Sequence, residues 1–212
     1  NSDEIRIKKR NNDFLVEGSF QNNNVLIKEN VVNTFLNSFL KRYEIENFNL
    51  NLKNNFQFIL TKKLKISNLK FSSKIELNDL GFKNNLKLNK FFPNIKETIS
   101  LKDHFININY GKNIFKITGS GDILIQDEED KINYSIIKKN STYNFDTSLF
   151  IKKNFFHVNF LGYEKNKNLD AKINLKGKVN LDNSILIRSG SLEQDDNDFN
   201  FDELNLDKDL KI

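Results

Sequence analysis

Apolar and polar residues alternate along most of this chain. Over residues 142–152, Tyr143, Phe145, Thr147, Leu149 and Ile151 take every second position, and Asn144, Asp146, Ser148 and Phe150 fill the others. Over residues 168–179, Leu169, Ala171, Ile173 and Leu175 alternate with Asp170, Lys172, Asn174 and Lys176. Successive side chains of a strand point to opposite faces, so a period of two gives one apolar face and one wet face. The pattern predicts a meander of long strands at residues 131–139, 142–152, 155–163, 168–181 and 184–192, joined by short polar turns.

The same period extends in both directions. Strands are expected at residues 4–9, 13–21 and 25–28, and again from residue 44, where Phe48, Leu50 and Leu52 alternate, then Phe56, Phe58 and Leu60. Asn54–Asn55 and Ser72–Ser73 read as turns or bulges and residues 78–85 (NDLGFKNN) as a loop. Leu86, Leu88 and Phe91 read as a strand broken at Phe92–Pro93–Asn94. Gly119–Ser120–Gly121 is expected to bend or bulge its strand. Phe199, Phe201, Leu204 and Leu206 carry the alternation on towards the acidic C-terminus. Residues 30–41 depart from it. Val31, Val32, Phe35, Leu36, Phe39 and Leu40 recur at spacings of three and four behind Asn30, which predicts an amphipathic helix with an N-cap. The expected fold is mainly β: a long antiparallel meander curled into a taco-like groove, with that one helix. Residues 1–212 read as a single continuous domain, with a subdivision near residue 93 as the alternative.

Composition narrows what the apolar face can be. Hydrophobic residues make up 38% of the 212, below the usual share, which favours a one-sided core. The abundance of Asn and Lys matches the base composition of an AT-rich genome and carries no functional meaning by itself. Residue 1 is Asn and no Met occurs, so a segment or processed product of a longer chain is expected. No run of about 18 apolar residues is present to span a membrane. The absence of Cys excludes disulfides, thiolate catalysis and Cys-ligated zinc. The net charge of +5 is spread along the strands rather than clustered.

Catalytic material is thin, and no enzyme activity or cofactor is expected. His104 and His157 fall in different strands, with no nucleophile arranged beside them. Asp196, Asp198, Asn200 and Asp202 resemble the start of a calcium loop, but Phe201 and Asp207 stand where the loop needs Gly and Glu. Gly119–Ser120–Gly121 lacks the Lys and the helix of a phosphate loop. Aromatic and basic residues take opposite faces, which separates the two ingredients of a single-strand nucleic-acid binder. The remaining candidate is the apolar face itself. It can close on a second sheet as a dry core, as in a structural or adhesive domain, or bend into a trough for an apolar ligand.

Residues 113–125 (NIFKITGSGDILI), 131–139 (KINYSIIKK) and 143–151 (YNFDTSLFI) together resemble AsmA-like proteins, the YhdP-like subgroup in particular. The helix at 30–41 behind the opening strands is similar to that subgroup as well. The resemblance implies a bridge-like lipid-transfer protein of the Gram-negative cell envelope that serves outer-membrane biogenesis. It implies a groove holding phospholipid or another acyl lipid on the periplasmic side of the inner membrane, with an anchor outside this segment. It carries no catalytic residues. Tyr143, Phe145, Leu149, Ile151, Phe156, Val158, Phe160, Leu169, Ala171, Ile173 and Leu175 are the expected lining.

Overall fold

The computed structural model describes residues 4–26, 45–84, 88–140, 142–159, 162–167, 169–180, 182, 184–195 and 197–207. The helix expected at 30–41 lies outside them. Strands β1 (Glu4–Arg10), β2 (Asp13–Leu26), β3 (Ile45–Leu60), β4 (Ile66–Lys83), β5 (Thr98–Gly111), β6 (Ile114–Leu124), β7 (Glu129–Lys139) and β8 (Thr142–Ile151) follow one another across a single sheet. β11 (Ala171–Val179), β12 (Ile185–Gln194) and β13 (Asn197–Leu206) complete it. All neighbours are antiparallel, and β1 and β13 are its two edges, so the sheet does not close into a barrel.

Tight turns set the register. Gly111 pairs with Ile114, and the two residues between them, Lys112 and Asn113, have φ of 51° and 59°. Two left-handed residues in succession give the turn whose twist matches that of the flanking strands. Residues paired across a ladder share a face, so apolar alternation in one strand meets apolar alternation in the next. Register shifts between β2 and β3, β3 and β4, β5 and β6, and β11 and β12 add the bends that curl a long sheet.

Several expectations are corrected. Asn54–Asn55 and Ser72–Ser73 are not turns; they pair with each other inside β3 and β4. Residues 78–83 belong to β4, with a register shift beside Asn78 in place of a loop. Gly119–Ser120–Gly121 pairs without interruption with β7, and the bulge lies on β5 opposite, beside Asp103 at φ 47°. Residues 155–163 are not a strand of the meander. β9 (Phe156–Val158) and β10 (Tyr163–Lys165) form a separate hairpin, and β8 pairs directly with β11. A short hairpin shows the same alternation as a sheet strand, which is why its sequence misleads.

Among the described residues, the compact core lies where β4, β6, β8 and β12 end and β5 and β11 begin. Ile99, Ile123, Ile125, Ile151, Ala171 and Leu192 come from the sheet and its connections, and Phe92, Phe156 and Val158 from the two excursions at 88–97 and 152–167. Leu88 opens the first excursion in a 3-10 turn (Leu88–Lys90) instead of the expected strand. Because β4 pairs with β5 across the first excursion, the sheet runs unbroken past residue 93.

Candidate functional site: an apolar floor with one closed rim

The inner face of the sheet is assembled from matching positions of successive strands. One row crosses all eleven: Ile5, Gly18, Phe56, Phe71, Tyr110, Phe115, Lys138, Tyr143, Val179, Ile185 and Leu206. At the usual strand spacing it runs for about 48 Å. A second row holds Leu52, Ile75, Ile106, Gly119, Tyr134, Thr147, Leu175, Gly190 and Phe201. Between these rows Ile108, Ile117, Ile136, Phe145, Gly177 and Ile187 form another.

Glycines keep this floor low. A Cβ on Gly119 would meet the Tyr134 ring at 2.4 Å, one on Gly177 the Phe145 ring at 2.7 Å, and one on Gly190 the Phe201 ring at 2.2 Å. Each ring therefore lies over the neighbouring backbone rather than standing into the space above it.

Nine of the eleven expected lining residues fall into three groups. Tyr143, Phe145, Leu149, Ile173 and Leu175 share the inner face, in register, and are only half-buried. Ile151 and Ala171 also pair on that face, but they are sealed in the compact core at 0% and 5% exposure. Phe156 and Val158 stand above the sheet and cover it. Leu169 lies before β11, 37% exposed, and Phe160 falls outside the described residues.

The sealed rim is held by a buried polar network. Lys165, with no exposed surface, donates from Nζ to the carbonyls of Asn154 at 2.8 Å, Lys152 at 3.0 Å and Asn166 at 3.0 Å. Asn154 donates to the Glu128 carbonyl at 2.6 Å and to Asp130 Oδ2 at 2.7 Å, and the Lys152 N–H donates to Asp130 Oδ1 at 3.0 Å. Gln126 donates to the Pro93 carbonyl and accepts from the Phe155 N–H. Burial pushes the Lys165 ammonium below its ordinary range, opposed by Asp130, and pushes the Asp130 carboxyl up, opposed by the Asn154 and Lys152 donors. Nearly all the donors and acceptors of these groups are spent on one another, so the network fastens three segments together and leaves little free for chemistry.

The opposite rim is open and aromatic. A cavity of about 570 Å³ there is lined by Tyr110, Asn113, Phe115, Lys138, Asn140 and Tyr143. Lys138 Nζ lies 5.0 Å from the centre of the Tyr143 ring. It is the one charged residue in the longest inner row.

His104 is one of several polar residues on the floor, with Asn54, Ser73 and Thr147. It is 1% exposed, and a Cβ on Gly121 would meet its ring at 2.3 Å. Its Nδ1 is 3.0 Å from the Lys102 carbonyl, which can only accept, so Nδ1 carries the proton and Nε2 the lone pair. Nε2 has no partner. Burial lowers the His104 pKa, with the Lys102 carbonyl and Asp122 opposing. His157 alternates with buried Phe156 and Val158 and takes the other side of the hairpin.

The outer face is a hydrogen-bonded polar surface. Asn174 accepts from Ser148 at 2.7 Å and donates to Ser191 at 2.8 Å and Glu193 at 2.7 Å. Among the described residues no three metal-ligating side chains cluster, and no helix is long and apolar enough to cross a membrane.

The floor is wider than the expected lining. Phe56, Phe71, Tyr110, Phe115, Ile117, Tyr134 and Ile136 belong to it, and their alternation is plain in the sequence. The hairpin turn at Lys112–Asn113 was the signal that could have joined them to Tyr143. The chain matches no protein-family model, and comparisons with curated proteins and with solved structures likewise give no match.

Proposed function

We propose that the inner face is a trough for acyl lipid and that this chain is a segment of a lipid-transfer protein. One observation carries the reading: mainly apolar rows cross successive strands, perpendicular to them, and on β6, β7 and β8 they stay half-exposed away from the closed rim. A face built only to hold a domain together is covered, as this one is at Ile151. Each methylene buried on such a floor contributes about 0.8 kcal/mol without any directional contact, so ten contribute on the order of 8 kcal/mol. Rows, rather than pockets, suit a ligand that slides. Lys138 at the open rim is placed to meet an anionic headgroup while the acyl chain lies along Phe145, Leu175 and their row neighbours.

The AsmA-like resemblance agrees with this reading and adds the setting, a groove between the two membranes of a Gram-negative envelope. Uptake of a labelled phospholipid tests the assignment. Ile173→Asp and Phe145→Asp should each lower uptake severalfold, while Lys172→Asp, on the outer face, leaves it near the wild-type level. Equal uptake by all three variants would sink the trough.

A further inference from the structure

We infer that the turn between β3 and β4 docks this chain on an anionic lipid bilayer, with Leu64 inserted among the acyl chains and the lysines around it held at the headgroups. The inference goes beyond lipid binding in the trough and stands on separate observations. The turn is a projection of the sheet. β4 begins at Ile66, but its pairing with β5 begins only at Phe71, opposite Tyr110, and β5 ends at Gly111. The hairpin therefore runs about 17 Å past the neighbouring turn at Lys112–Asn113. It lies well inside the chain, and β2 leaves and β3 enters the sheet at the opposite end, at Leu26 and Ile45.

The tip is apolar and its flanks are basic. Leu64 is 78% exposed and Ile66 61%, and behind them Phe14, Leu60 and Ile66 stand in one row. Lys62, Lys63 and Lys65 surround Leu64, and the turn holds no acid. The adjoining turn between β1 and β2 adds Lys9 and Arg10, with Asp13 as its one carboxylate. The tip is also braced. The Thr61 N–H donates to the Lys65 carbonyl at 3.0 Å, the Leu64 N–H to the Thr61 carbonyl at 2.8 Å, and the Lys65 N–H to Thr61 Oγ1 at 3.1 Å. These bonds hold Leu64 at φ 56°, a left-handed place that favours Gly or Asn. Asn takes such places in other turns of this rim, at Asn11, Asn113 and Asn140. A leucine there adds nothing to the core. A bilayer suits both features. Each lysine held near an anionic surface strengthens binding about fivefold. Lysine stems reach past a buried leucine and leave their charges among the headgroups. A nucleic acid or other dissolved polyanion would engage the lysines but offers no apolar layer for Leu64. One leucine and a few bases make a weak, reversible contact that salt screens.

The chain contains no Trp, so Leu64→Trp places a single fluorophore at the tip. Vesicles of equal parts phosphatidylcholine and phosphatidylglycerol should shift its emission to the blue, and brominated acyl chains in them should quench it. Phosphatidylcholine vesicles alone should do neither. Lys153→Trp, beyond the other end of β8, should stay unshifted with either. Co-sedimentation of the wild-type chain with the mixed vesicles should weaken as salt rises. Lys62→Glu with Lys63→Glu should weaken it by about tenfold or more, and Leu64→Asp severalfold. Circular dichroism checks each variant's fold. A wild-type chain that ignores the mixed vesicles at low salt overturns the inference. So does equal binding to phosphatidylcholine alone, binding that leaves the Leu64→Trp emission unshifted, or a shift of the same size with heparin in place of vesicles. Uptake of a short-chain phospholipid supplied as monomers, read on the wild type, needs no membrane and separates failure here from failure of the lipid reading.

Discussion

Ile151 and Phe145 lie six residues apart on the same face of the same strand, yet one is sealed and the other half-open. The strand treats them alike; what stands above them differs. Over Ile151 sit Phe156 and Val158 of the β9–β10 hairpin, backed by Phe91 and Phe92 of the first excursion and fastened by Lys165, Asn154 and Asp130. Among the described residues, no such cover stands over Phe145. An apolar face therefore becomes a core or a binding surface according to connections that are not part of the sheet.

The sharpest way to break this contrast is to place the same charge at both sites. Ile151→Asp buries an unpaired carboxylate in the closed rim and should abolish cooperative unfolding, while Leu175→Asp, on the open floor, should leave a folded protein with impaired lipid uptake. Far-UV circular dichroism with a thermal scan distinguishes them. If both variants unfold alike, the two regions do not differ as described. Truncation gives a smaller version of the contrast. Ile151→Ala should cost about 3 kcal/mol, a cavity in a packed site, and Leu175→Ala about 1 kcal/mol, measured by urea unfolding.

The period-two pattern made the strands and their apolar side legible, because alternation of side chains is a property of the isolated strand. It could not show the cover. Phe156 and Val158 alternate like sheet residues, and only the pairing of Tyr163 with Val158 turns them away into a hairpin. Nor could it show where a bulge reverses the alternation. At Asp103 the inner face passes from even positions, such as Ile106 and Ile108, to odd ones, Leu101 and Ile99. Polar pairs such as Asn54 and Ser73 looked like turns because nothing local says that β3 and β4 run straight through them.

His104 sharpens the comparison from the floor's side. Its folded pKa lies below its ordinary 6.5, so the unfolded chain binds the proton first as pH falls. The resulting stability is full above about pH 6.5 and is lost as pH drops through the folded value. His104→Phe should flatten that decline in thermal scans taken from pH 7 down to pH 5, above the range where carboxylates dominate. A decline as steep as that of the wild type would remove His104 as its cause. The smallest effect is expected on the outer face. Lys176 Nζ lies 3.3 Å from Asp146, both well exposed, and Lys176→Ala should leave the melting temperature and lipid uptake unchanged within error.

The most direct measurement is lipid extraction and mass spectrometry of the purified chain beside its Phe145→Asp variant. An open acyl trough predicts co-purifying phospholipid in the wild type and several times less in the variant. No bound lipid in the wild type, together with no uptake when labelled phospholipid is supplied, would contradict the account.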